Sequence, residues 1–376
     1  MGDPVQEGGI DRRLVAWFLL LLCSPVAAVL VLAWGYYVAG NGLGAGALAL
    51  GSLPLLLLLL PRALGYPNRK LIGLLLGIGL LDLGYAAFRV REVQEDPQWR
   101  FCVDGVCPAS LPLLARLVRE DETAYAGMAL SYGLGLLSPE EQAVIGPATQ
   151  QVYAGLGQRR GGKPGVNAVL LSSDGGRVEE LVWVPPAEAP VPALIFLHGF
   201  GGLLTPFVDT LAEGELGQTY AVVAPALDMS GYWWEPAGRA VLKRTLERLP
   251  EGVDRNRLWL VGLSNGAIGA SHLGADPELG PLFRGVILIV GGDLLRAGEQ
   301  MTRPVLLLPG RSDERFPLGH LEKVATQLQE AGVNTTYKPL EGDHFVLFTH
   351  PERVREAIRD WLREKGEVPG PDRGPL

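Results

Sequence analysis

The chain has 376 residues, 33 Lys and Arg against 41 Asp and Glu, and a formal net charge of −8; that length is enough for two or three structural units. The charge is uneven: residues 1–91 hold seven Lys/Arg and four Asp/Glu, which leaves the remainder at a net −11. With no basic stripe and no interleaved aromatics, this pattern excludes a nucleic-acid partner, whose affinity rests on neutralising phosphates; the acidity reads as solubility.

Three apolar runs fill the N-terminal quarter: Leu14 to Val38, Leu43 to Leu60 and Leu71 to Phe88. About 18–20 apolar residues cross a bilayer core as a helix, so the pattern predicts a membrane region over 1–91 with about three transmembrane helices. A cleaved leader is the alternative for the first run, which starts at Arg12-Arg13 and has small residues near Ala27-Ala28. The apolar stretch continues past that point, and two more follow. Asp82 in the third run is given no role. Arg12 and Arg13 precede the first run, the next connection has no Lys or Arg, and the one after it carries Arg62, Arg69 and Lys70. By the positive-inside rule this places the N-terminus in the cytoplasm and everything after Phe88 outside; Arg89 and Arg91 oppose that, offset by Glu92, Glu95 and Asp96. The expected location is therefore a multi-pass membrane protein with an extracytoplasmic domain, and a lipid bilayer is the expected partner.

Residues 92–165 read as a helical connecting region. Leu111–Glu120 and Glu140–Leu156 have helical periodicity, and Ser138-Pro139-Glu140-Glu141 is a helix start with Ser138 as cap. Cys102 and Cys107 in FCVDGVC could close a small disulfide loop in an oxidising compartment or remain two free thiols. No second Cys/His pair has ligand spacing, so no metal is expected.

From Val166 short β-branched runs alternate with helical stretches. The expected strands are Val166–Leu171, Val178–Val184, Ala193–Leu197, Tyr220–Ala224, Leu258–Gly262, Gly285–Val290, Pro304–Leu308 and Thr335–Pro339. The first two, split by Ser172–Gly176, suit an antiparallel hairpin; the later ones suit a mostly parallel eight-stranded sheet with helices on both faces. Residues 366–376 form a Pro/Gly-rich tail expected to be disordered.

The chemistry concentrates in four segments. LWLVGLSNGA contains Gly262-Leu263-Ser264-Asn265-Gly266, a G-x-S-x-G between an apolar strand and a small-residue helix, the context in which a serine sits on a sharp, exposed turn. ALIFLHGFGG ends a strand at His198 and enters a glycine-rich loop whose Phe200 N–H, paired with Asn265 N–H, could receive a developing oxyanion. EGDHF places His344 just after the last strand, where an imidazole could serve as base to Ser264. PGRSDERFP puts Asp313 on a loop after a buried strand, with Asp293 the fallback acid. His198 reads as structural; His272 lies too near Ser264 in sequence, and His320 and His350 lack a comparable context. Tyr232, Trp233 and Trp234 either line a substrate pocket or pack in the core.

The order Ser264, Asp313, His344, with LHGFGG upstream, resembles the α/β-hydrolase superfamily over residues 166–365, in the manner of small esterases, dienelactone hydrolases, polyester depolymerases and prolyl-oligopeptidase-type peptidases. The resemblance implies an α/β-hydrolase fold, a catalytic triad of Ser264, Asp313 and His344, an oxyanion hole from the Phe200 and Asn265 amides, and no cofactor. Ala267 stands where many relatives have glycine. Only Gly291–Arg303 separates the sixth and seventh strands, which leaves little room for a lid. The implied activity is hydrolysis of a small-molecule or lipid carboxylic ester through an acyl-enzyme. Peptide cleavage or acyl transfer on the same scaffold, or a catalytically silent binding module, are the alternatives.

Overall fold

The computed structural model describes residues 99–107, 120–159, 178–228 and 230–366. The three apolar runs, the expected strand Val166–Leu171 with its turn, and residues 367–376 of the expected tail lie outside these. Among the described residues, no helix is long and apolar enough to cross a membrane. Packing divides the described residues into two compact units, with residues 121–142 in one, and Glu120 and residues 99–107, 143–159, 178–228 and 230–366 in the other.

The first unit holds most of α1 (Glu120–Gly133) and the start of α2 (Pro139–Arg159). Ser138 caps α2 as the sequence predicts. Its backbone N–H donates to Glu141 Oε2 at 2.8 Å, and its Oγ accepts the Glu141 N–H at 3.1 Å. This reciprocal pair satisfies two amides that a helix start leaves without carbonyl partners.

The second unit is an eight-stranded sheet in the order β1-β2-β4-β3-β5-β6-β7-β8. The strands are β1 (Trp99–Val103), β2 (Glu179–Trp183), β3 (Val191–Leu197), β4 (Ala221–Pro225), β5 (Val253–Leu263), β6 (Phe283–Ile289), β7 (Val305–Leu308) and β8 (Thr335–Tyr337). β2 runs antiparallel to β1 and β4, and all other neighbours are parallel. This is the strand arrangement of an α/β-hydrolase fold. β2 to β8 fall on expected strands. β1 does not: it comes from the region read as helical connection, so the sheet begins well before residue 166. WRFCV is too short a run for periodicity to flag. Its cue is the Asp104-Gly105 pair that follows.

Alternate side chains along each strand enter two separate cores. On β3, Leu194 and Phe196 face one side with α3 (Thr205–Ala212) and α9 (Pro351–Glu364). Ala193, Ile195 and Leu197 face the other, with α5 (Pro236–Glu247), α6 (Asn265–Gly274) and α7 (Leu318–Glu330). α9 buries Val354, Ala357, Ile358, Trp361 and Leu362, a stripe of i, i+3, i+4, i+7, i+8 spacing, and its Trp361 meets Trp259 of β5 edge to face at 5.3 Å.

Beyond β1 the chain reverses through Asp104 (φ 50) and Gly105 (φ 76), a turn with two left-handed central residues for which Asp-Gly is a preferred pair. Cys102 and Cys107 are joined in a disulfide across it. Asp104 docks the turn: it accepts Arg244 Nε at 2.6 Å, Arg244 Nη2 at 2.9 Å and the Val178 N–H at 3.0 Å. A Cβ on Gly105 would stand 1.7 Å from the Arg248 carbonyl oxygen, so no other residue fits there.

Cross-strand from Cys102 lies Glu180, fully buried. Desolvation pushes its carboxyl up to about 8, reinforced by the nearby Asp104. A carboxyl raised on folding contributes stability below its unfolded value of 4.5 and loses it as pH rises through about 8. Between those limits the native protein should weaken with rising pH, and Glu180→Gln should remove more than about 2 kcal/mol of that dependence. Urea titrations of both proteins at pH 5 and pH 8 check this; parallel slopes would refute it.

Candidate active site

β5 ends at Leu263 and α6 begins at Asn265, so Ser264 alone makes the turn, at φ 55 and ψ −118. A non-glycine residue held there costs of order 1–3 kcal/mol. Close packing permits it: a Cβ on Gly262 would lie 2.2 Å from the Gly266 oxygen, and one on Gly266 would lie 2.0 Å from the Leu197 oxygen. Hydrogen bonds clamp the turn, since Ser264 N–H donates to Ile289 O at 3.0 Å and Ser264 O accepts from the Ala267 and Ile268 amides at 2.8 and 3.1 Å. Behind it, buried Val290 is also left-handed (φ 41), a rare state for a β-branched residue. Its neighbour Gly291 abuts the serine backbone, with an ideal Cβ 2.5 Å from Ser264 O.

Two loops from the same carboxyl edge of the parallel strands meet this serine. His344, in the connection after β8, has Nε2 at 3.0 Å from Ser264 Oγ and Nδ1 at 2.9 Å from Asp313 Oδ2. A carboxylate only accepts, so Nδ1 carries the proton and Nε2 presents its lone pair to the serine hydroxyl. Asp313 follows β7, and its side chain is fully buried. Its other oxygen accepts the Arg315 and Phe316 amides, both at 2.9 Å, so the loop fixes its own carboxylate. Phe316 stacks on the His344 ring at 5.7 Å with 15° between planes. That contact escaped the sequence reading, though Phe316 lies only three residues beyond the acid.

The remaining expected residues divide. Phe200 is exposed on the loop after β3, and that loop passes over the serine: an ideal Cβ on Gly199 would be 3.0 Å from Ser264 Cβ. Asn265 opens α6, so its N–H belongs to the first turn, where no intrahelical carbonyl is in reach. Its side chain donates to Ser230 O at 2.8 Å. Tyr232 is exposed and Trp234 half-buried, with rings 4.8 Å apart. Of the two places the sequence left open for these aromatics, Trp233 takes the core and not the pocket. It is fully buried, Gly238 and Gly269 pack directly against it, and its Nε1 donates to His198 O at 2.8 Å. It is a core residue that braces the strand end. Asp293, the fallback acid, is away from His344 and instead lies 3.3 Å from His272, which also meets Glu299 at 2.8 Å. Residues 290–304, between β6 and β7, contain neither helix nor strand.

His198 is structural. Nδ1–H donates to Gly199 O at 2.8 Å, and Nε2 accepts the Leu227 N–H at 3.1 Å. Full burial drives its pKa down to about 4, so the ring is neutral.

No family model and no curated protein matches the chain. Among solved structures, a thermostable esterase overlaps 50% of this chain and 59% of its own length, at 22% identity and a TM-score of 0.41. The apo form of esterase 2 from Thermogutta terrifontis overlaps 53% of this chain and 93% of its own, at 15% identity and a TM-score of 0.43. An α/β-hydrolase enzyme, MGS-M1, from a Medee basin deep-sea metagenome library overlaps 51% and 92%, at 15% identity and a TM-score of 0.41. At these scores the overlap is partial, and the fold rests on the strand order and the turn at Ser264.

A histidine depressed to about 4 when folded and near 6.5 when unfolded costs stability as pH falls between those values. Wild-type protein should lose on the order of 2 kcal/mol on going from pH 7 to pH 4.5 that His198→Gln does not lose. Chemical denaturation at the two pH values measures the difference, and equal losses would count against a neutral, buried His198.

Proposed function

We propose that the chain is a serine hydrolase acting on carboxylic esters, with Ser264 as nucleophile. One observation carries the reading: the unbroken array Ser264 Oγ, His344 Nε2 and Nδ1, and Asp313 Oδ2, each link within hydrogen-bond reach. Ser264 Oγ attacks the ester carbonyl as His344 Nε2 takes its proton. Asp313 holds the tautomer and stabilises the imidazolium without taking the proton. The amides of Phe200 and Asn265 receive the oxyanion. The C–O bond then breaks, the leaving alcohol takes the proton from His344, and an acyl-serine remains. Water, deprotonated by the same imidazole, attacks the acyl carbon and restores Ser264. Tyr232 and Trp234 border the substrate.

Fluorophosphonate probes should label the wild type at Ser264 and fail on Ser264→Ala. His344→Ala and Asp313→Asn should each lower kcat/KM for an activated ester by about 10³-fold or more. A wild type that neither labels nor turns over any activated ester overturns the reading. Presenting peptides and alcohol acceptors to the same preparation separates ester hydrolysis from peptide cleavage and acyl transfer.

The domain is tethered to a lipid bilayer by the apolar runs of residues 1–91 and faces the extracytoplasmic side. The run lengths and the Lys/Arg distribution support this, and so does the Cys102–Cys107 disulfide, a bond kept in oxidising compartments. External protease should digest the domain in intact cells; protection until lysis would reverse the orientation.

A further inference from the structure

The loop after β3 is held at both ends. At its start His198 grips Gly199 O. At its end stands α3, which opens at Thr205, preceded by Leu204; neither residue's side chain caps the helix start. The cap comes from Glu120, 85 residues earlier in the chain. Glu120 Oε1 accepts the Thr205 N–H at 3.0 Å and the Tyr153 hydroxyl at 2.9 Å. Its Oε2 accepts Leu204 N–H at 3.2 Å, Thr205 N–H at 3.1 Å and Thr205 Oγ1 at 3.1 Å. The residue is 1% exposed. A carboxylate at a helix N-terminus meets both free amides and the positive end of the dipole, and in a buried setting those bonds are at their strongest.

Between these anchors run Phe200, Gly201 (φ 94), Gly202 (φ 68) and Leu203. Two left-handed glycines give this stretch little stiffness of its own. The placement of the Phe200 amide against Ser264 therefore depends on where the ends are fixed. Burial pushes the Glu120 carboxyl up to about 7, while the Thr205 and Leu204 amides and the Tyr153 hydroxyl pull it down.

We infer that Glu120 is a positioning residue for the oxyanion site: by capping α3 it sets the far end of the 199–204 loop and so aims the Phe200 N–H at the transition state. The inference rests on the Ser264 reading. It also gives Glu120 and Tyr153, which precede β2 in the chain, a part in the site, with Glu120 held in turn by Tyr153 of α2. Gln at this position keeps one acceptor oxygen but turns an NH2 group toward the remaining donors, and Ala removes this acceptor from all of them.

The test uses the full chain carrying Glu120→Gln and Glu120→Ala, with Glu180→Gln as a second buried carboxylate that does not touch the loop. Two readouts are taken: amide exchange of the peptide covering 199–205, and steady-state kinetics with an activated ester together with affinity for a trifluoromethyl ketone, which forms an oxyanion adduct on the serine. Glu120→Gln should speed exchange in that peptide about 10-fold and lower kcat about 5- to 10-fold, with KM within threefold. Glu120→Ala, where it folds, should lower kcat about 10- to 100-fold, short of or equal to the loss of one oxyanion donor. Ketone affinity should fall in proportion to kcat/KM in both. Glu180→Gln should change neither. Unchanged loop exchange in Glu120→Gln overturns the inference, and so does faster exchange with kcat and ketone affinity within twofold of wild type. A wild type that turns over no ester and takes no fluorophosphonate sinks the Ser264 reading and the catalytic half of this one, whatever the exchange shows.

Discussion

Ser264 occupies a backbone state that almost no L-residue adopts freely, and the surroundings exist to keep it there. Its carbonyl is held by two α6 amides and its N–H by β6. Gly262 and Gly266 pass so close to neighbouring backbone that a single methyl would force the turn open. The local cost of 1–3 kcal/mol is offset by the two cores on either face of the sheet, whose central strands are almost wholly buried. Val290, also left-handed and immediately behind the serine, shows the same pattern: among the described residues the left-handed non-glycine positions, these two and Asp104 after β1, lie at strand ends and none within a strand.

The polar groups follow a second logic. Each ionisable side chain in the site is fixed by partners that leave it one available role. Asp313 is oriented by its own loop amides, His344 by Asp313 and by stacking on Phe316, and His198 by a carbonyl on one side and an amide on the other. Little rearrangement is then needed when charge develops, which is the condition under which hydrogen bonds and dipoles contribute most to a reaction.

Much of this was legible in the sequence because it is local. The G-x-S-x-G at 262–266 lies between a strand and a helix, and a strained turn with tiny neighbours is a steric necessity there. Seven of the eight strands announced themselves as β-branched runs bounded by turns. What was not legible is tertiary. β1 is a five-residue strand with no periodicity to detect, marked only by Asp104-Gly105. Trp233 sits between two candidate pocket residues, and nothing in YWW says which ring turns inward; the answer lies in Gly269, whose missing side chain leaves room for the Trp233 side chain, while Gly238 lets α5 abut the Trp233 backbone. Glu120 contacts residues 84 and 85 positions away, a separation that no motif or period records.

The C-terminal helix adds a constraint on when the site can form. The pairs β1–β2 and β3–β4 can form early, but β5 must insert beside β3 before the Ser264 turn exists. His344 arrives eighty residues later, and α9, which seals one core through Trp361, is the last of the described elements. Parallel pairing of this kind is slow because loops must close before contacts reward them. A nascent chain that stops short of residue 364 therefore carries the serine without a sealed core beneath it. A sealed core under the Ser264–His344–Asp313 array thus waits for α9, and chains truncated before it would expose sheet surface to proteolysis and aggregation.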